Sequence, residues 1–148
     1  MVVLEKFGAL SIGIILLAVI YWAGLAVGTT IVNADVNLLN LAAACFSAGL
    51  LGITFGALSL AIGCAMGRRN LVMAGAGGLA VVTYFLNALA LLIDSLERFR
   101  DLSPFYYYIG GEPLLNGLNV GHASVLIGLT AVFVVVALML FERRDLSV

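Results

Sequence analysis

Charged residues fall in clusters along the chain, and between the clusters lie four uncharged runs: Phe7 to Ala34, Val36 to Gly67, Asn70 to Ile93 and Pro113 to Phe141. About 20 helical residues cross the roughly 30 Å hydrocarbon core of a bilayer, so each run is long enough to span it. Inside a bilayer the backbone must satisfy its own hydrogen bonds, which selects helix even where β-branched residues crowd, as from Val132 to Val136. The pattern predicts an all-α, polytopic transmembrane bundle with four spans, near residues 8–32, 38–66, 71–93 and 122–141. Between the last two spans, Ser103 is a good N-cap, Pro104 a good first helical residue and Gly110–Gly111 a stop, predicting a short aromatic helix over 103–110. It is too short to span, so it is expected to lie along the outer surface or to re-enter it. No internal repeat or low-complexity linker divides the chain, which reads as a single transmembrane domain over 1–148. The first run exceeds the 7–15 residues of a signal-peptide core and no small-x-small cleavage pattern follows, so it reads as a retained span.

Composition agrees with that reading. Apolar residues make up 64% of the 148, before counting 17 glycines, against about 45–50% in soluble domains. The net charge of −1 offers no electrostatic case for a nucleic-acid partner. Placement matters more: with alternating spans, Lys6, Arg68, Arg69, Arg143 and Arg144 share one side and only Arg98 and Arg100 take the other. The positive-inside rule then expects both termini in the cytoplasm of a multi-pass plasma-membrane protein. Asp94, Glu97, Arg98, Arg100 and Asp101 read as a solvated outward extension of the third helix, with Asp94 and Arg98 at i,i+4.

The rarest residues exclude several chemistries. Lys6 is the only lysine and no glycine-rich loop precedes it, so the G-x-x-x-x-G-K-[ST] phosphate loop is absent. His122 is the only histidine, which excludes H-E-x-x-H zinc chemistry, and there is no G-x-S-x-G elbow. Cys45 and Cys64 share one predicted helix and stand roughly 28 Å apart along it, beyond disulfide reach. The chain reads as a non-enzyme that binds no cofactor and no metal itself.

Two features remain as candidate functional elements. In the second span, Cys45, Gly49, Gly52, Gly56, Ser59, Gly63 and Gly67 follow one another at spacings of 4, 3, 4, 3, 4 and 4 and so keep to one face. Such a seam admits close helix packing, either as fixed docking or as a surface that slides during a transport cycle. Gly24 with Gly28, and Gly75 with Gly78, offer flat patches on neighbouring helices. Among the few polar residues at membrane depth, Ser11, Thr54, Thr83 and Thr130 can satisfy themselves on the preceding turn. Asn87 cannot, and is expected to seek another helix or a water-filled path. With no carboxylate or lysine inside a span, a proton-coupled four-helix antiporter is disfavoured. The aromatic block at Tyr106, Tyr107 and Tyr108 suits either an interfacial anchor or an external gate beside a substrate path.

The stretch from Leu102 to Gly117, followed by a last span and the close Phe141-Glu142-Arg143-Arg144-Asp145-Leu146, resembles the C-terminal part of type-2 ABC exporter permeases. Leu4-Glu5-Lys6 before the first span, and the small-residue run ending in Gly67-Arg68-Arg69, support the resemblance. It implies cytoplasmic termini, a short outer helical element before the last span, a second permease copy or homologous permease, surrounding lipid, and a separate ATPase subunit that binds ATP-Mg. Such permeases have six spans; the four here align with the last four, which implies a truncated or split permease. The alternative class is a noncatalytic membrane assembly or regulatory subunit docked through the glycine seam.

Overall fold

The computed structural model describes residues 2–145, with side chains described as far as Arg143. Leu146, which ends the close that carries the resemblance, lies outside the described residues, as do the side chains of Arg144 and Asp145. The fold is an all-α bundle with no strand among the described residues. Its helices are α1 (Val2–Ile31), α2 (Leu38–Met66), α3 (Arg69–Ala90), α4 (Asp94–Arg100), α5 (Pro104–Ile109), α6 (Pro113–Asn116) and α7 (Val120–Asp145). Four of them, α1, α2, α3 and α7, are long and apolar enough to cross a membrane, which makes the chain a multi-pass helical membrane protein.

Local chemistry sets the boundaries. Asn37 caps α2, its side-chain oxygen accepting from the Leu39 amide at 2.9 Å. Gly67 closes the same helix in the left-handed region at φ 64°, its amide donating to the Gly63 carbonyl at 2.9 Å, a conformation that costs glycine nothing. Asn119 supports the start of α7 by accepting from the amides of Gly121 and His122 at 3.0 and 3.2 Å. This places the start of α7 two residues ahead of the expected one at His122. Helix α1 likewise starts at Val2, ahead of the expected residue 8, taking Glu5 and Lys6 into its first turns.

The expected continuous third span, 71–93, is corrected at its end. Helix α3 stops at Ala90, a turn follows, and the charged stretch forms the separate helix α4. The apolar run Leu91-Leu92-Ile93 hides this break from a hydropathy reading, because all three residues are apolar yet exposed.

Helix α2 is the hub, packing against α1, α3, α5, α6 and α7. Two opposite ends result. At one, Val3, Ala61 and Ala137 form a buried cluster with Leu60, Leu138 and Phe141 around it; this basic end also carries Lys6, Arg68, Arg69 and Arg143. At the other, the Trp22 indole N–H donates to the Leu38 carbonyl at 3.4 Å, and Asn40 donates to the Leu114 and Leu115 carbonyls, each at 3.1 Å, holding α6 on α2.

Helices α4 and α5 form a hairpin that enters the bundle from this second, aromatic end. The Ser103 hydroxyl donates to the Thr83 carbonyl at 2.8 Å, and Thr83 lies roughly 21 Å along α3 from Arg69 at the helical rise. Phe105 meets Phe55 and Tyr84, each with ring centroids 5.5 Å apart, and Phe55 is roughly 16 Å from the end of α2 at Met66. The tip of the hairpin therefore reaches the middle of the bundle. These contacts seat the start of α5 against α2 and α3 inside the bundle. Backbone that does not span is tolerated at such depth only where protein or water covers it. Ser103 meets that condition, with 0% of its surface exposed.

Candidate functional site

The glycine face of α2 divides among its neighbours. A Cβ built on Gly49 would lie 3.4 Å from the Ala18 Cβ, and one on Gly52 would lie 3.5 Å from Ile14. One on Gly56 would lie 2.6 Å from the Leu10 Cδ2. These three glycines therefore admit α1. Further along, the nearest neighbour of Gly63 is Val72 of α3, at 3.6 Å from a built Cβ, and Gly75 faces Ile62 in return. Gly67 lies at the end of the same face as the helix cap. Cys45 is buried near the other end of the face and lines an apolar groove of 360 Å³ between α1 and α2 with Trp22 and Phe46. Gly24, Gly28 and Gly78 have no neighbour within 4 Å of a built Cβ among the described residues, so the Gly24–Gly28 patch is uncovered there and the Gly75–Gly78 patch meets α2 only at Gly75.

A second face of α2 was not evident from spacing. Thr54, Ala57 and Ala61 are buried there, and Thr54 meets α7. Its hydroxyl lies 2.9 Å from that of Thr130, 3.3 Å from the Leu126 carbonyl and 2.9 Å from the Leu50 carbonyl, while Thr130 donates to Leu126 at 2.8 Å. Two hydroxyl protons serve four short contacts, so the pair carries interchangeable hydrogen-bond arrangements. The expectation that these threonines satisfy themselves on their own helices holds for one bond of each and misses the bond between helices.

Asn87 is 97% buried, at 3% exposure, and its Oδ1 has no hydrogen-bond partner. The expected partner on another helix is not formed for that atom. Ser11 Oγ is also buried without a partner, so the expected bond to its own preceding turn is not formed.

At the aromatic end the rings of Tyr106 and Tyr107 lie 5.4 and 5.5 Å from His122, and 5.3 Å from each other. The Arg100 guanidinium stacks on Tyr106 at 4.8 Å, an attraction between cation and ring face. No ring contact ties Tyr108 to this group among the described residues. Burial raises the Tyr107 hydroxyl above the usual phenol range, and the Asp101 carboxylate and Tyr106 add to it, so it stays neutral at ordinary pH. Arg100 Nε and His122 Nδ1 are buried without partners beside these rings. The hairpin thus packs a polar, incompletely satisfied cluster between α4, α5 and α7.

A third assembly lies at the basic end. Lys6, Arg68 and Arg69 border a pocket of 440 Å³ whose lining includes Ser59 and Gly63. In the sequence these cations serve as topology signals and as part of the resemblance; that α1, α2 and α3 bring them to one opening depends on tertiary packing. Among the described residues no group of three or more His, Cys, Asp or Glu side chains is arranged to hold a metal. Comparison with protein-family models, curated proteins and solved structures finds no match to the chain.

Proposed function

We propose that this chain is a membrane-spanning permease subunit of an ATP-driven exporter of the type-2 ABC class, forming part of a substrate path while a separate ATPase subunit binds and hydrolyses ATP-Mg. The observation that carries the reading is the α4–α5 hairpin, inserted before the last span at the end away from most of the basic residues. A hairpin of that kind shields one end of a path, and the unpartnered polar atoms of Arg100 and His122 behind it suit a route that admits water and polar solutes. The basic end faces the cytoplasm of the plasma membrane in this reading, by the excess of lysine and arginine, and the ATPase docks there. A second permease copy, or a homologous one, completes the path. Tyr106, Tyr107 and Tyr108 form the external gate, and no nucleic acid takes part.

The uncovered Gly24–Gly28 face of α1 favours a second reading, a noncatalytic subunit that docks on a larger membrane complex. Affinity purification of the tagged chain from its native membrane in mild detergent separates the two. Recovery of a nucleotide-binding subunit with ATPase activity supports the permease. Recovery of membrane proteins alone, under conditions that keep complexes intact, replaces it with the assembly role.

A further inference from the structure

We propose that the pocket between the ends of α1, α2 and α3 is a binding site for the headgroup of an anionic phospholipid. The inference rests on the membrane-spanning fold and is independent of the exporter reading.

The floor of the pocket is the small-residue face of α2 at Gly56, Ser59 and Gly63, and its walls are Leu10 of α1 and Val72 of α3. Between Leu10, which rests on Gly56, and Val72, which lies beside Gly63, the small side chain of Ser59 leaves a trough that a larger residue there would close. The rim carries Lys6, Arg68 and Arg69, one cation from α1 and two from the start of α3, and no carboxylate among the described side chains lines the pocket. All three cations are exposed. No side chain caps the N-terminus of α3 at Arg68, so the positive end of that 22-residue helix adds to the same field. Arginine suits phosphate in particular, since its planar fork binds two oxygens at once.

Two facts select a lipid over a free anion. The pocket sits at the end of membrane-spanning helices, where basic clusters between spans meet lipid headgroups. Below the cations its walls are apolar, with Leu10, Leu60 and Val72, a surface that suits an acyl chain and offers a free phosphate nothing. Its 440 Å³ lies within the about 300–1,000 Å³ typical of small-ligand clefts.

The test is titration of the purified full chain in detergent with phosphatidylglycerol and with phosphatidylcholine, read by native mass spectrometry. Wild type is expected to prefer phosphatidylglycerol, and each of the three charges removed is expected to weaken it about fivefold. Lys6→Gln/Arg68→Gln/Arg69→Gln should therefore abolish the preference, whereas Arg143→Gln, a charge at the same end outside the pocket, should leave it within about twofold. Ser59→Leu keeps every charge and fills the floor; it should also weaken binding. Equal binding of the two lipids by wild type, an Arg143→Gln loss as large as that of a pocket charge, or full retention in Ser59→Leu overturns the proposal. Competition in wild type needs no variant to fold: displacement of phosphatidylglycerol by millimolar inorganic phosphate would assign the site to a free anion and also overturn it.

Discussion

Ser103 opens a six-residue helix and has no exposed surface, yet its hydroxyl donates to the Thr83 carbonyl and does not cap its own helix. The Ser103–Pro104 pair announced the helix start in the sequence; the choice of acceptor was not legible, because it depends on α5 packing against α3. Ser103→Ala is expected to loosen the hairpin by about 0.6–1.7 kcal/mol, the range for hydrogen bonds between membrane helices. Reversible unfolding in mixed micelles measures it, and a variant as stable as wild type would mean the bond contributes nothing. Thr54 and Thr130 offer a sharper case, since each also bonds its own helix. Thr54→Val and Thr130→Val are each expected to cost about 1 kcal/mol, and the double variant less than their sum, because the mutual bond is lost only once. Strict additivity would show that the two hydroxyls act separately. Asn87 was recognisable from sequence as a residue that cannot satisfy itself, and its buried Oδ1 is still unpartnered. Replacing it by leucine removes an unsatisfied acceptor and is expected to leave stability equal or higher; a loss above about 1 kcal/mol in the same unfolding assay would reveal a partner.

At the scale of elements, the spacing of Cys45, Gly49, Gly52, Gly56, Ser59, Gly63 and Gly67 was enough to define one face of α2, and not enough to say what lies on it. A small-residue face looks the same whichever helix approaches. In the fold it is shared: Gly49, Gly52 and Gly56 take α1, Gly63 faces α3, and Gly67 ends the helix. The Ala57 and Ala61 stripe toward α7 was hidden because alanine occurs on every face of α2. Helix α6 was hidden for another reason, since Pro113–Asn116 is too short for any period and is held by Asn40, far away in sequence. The divided face gives an expected ranking. Gly56→Leu must displace Leu10, whereas Gly24→Leu enters open space. The first is expected to cost about 1–3 kcal/mol by overpacking and to lower the yield of monodisperse protein, and the second to leave the folded monomer unchanged. Size-exclusion profiles and unfolding midpoints compare them; equal behaviour would mean that α1 does not rest on Gly56 at all.

For the whole molecule, the four spans were legible because hydropathy and length alone decide them, while depth and sidedness of the connections depend on packing. The charge clusters separate cleanly between the two ends of the bundle, with Lys6, Arg68, Arg69 and Arg143 at the Val3–Ala61–Ala137 end and the α4 arginines at the end that holds α6 against Asn40. If the basic end faces the cytoplasm, a label applied from outside an intact cell reaches only residues at the aromatic end. Two positions test this without disturbing the core: Asn70, exposed in the first turn of α3, and Leu115, 74% exposed on α6. Leu115 is preferable to Gly111, where a side chain would meet Asn119 at 3.1 Å and His122 at 3.2 Å. The parent chain, whose Cys45 is buried and Cys64 half-buried, serves as the blank, and its own labelling is subtracted. Leu115→Cys is expected to react with a membrane-impermeant maleimide in intact cells, and Asn70→Cys only after the membrane is permeabilised. Reaction of both from outside would place the two ends on one side and sink the alternation of spans. The reverse pattern would keep the bundle and invert it, moving the α4–α5 hairpin to the cytoplasmic side, where a gate facing the exterior has no place.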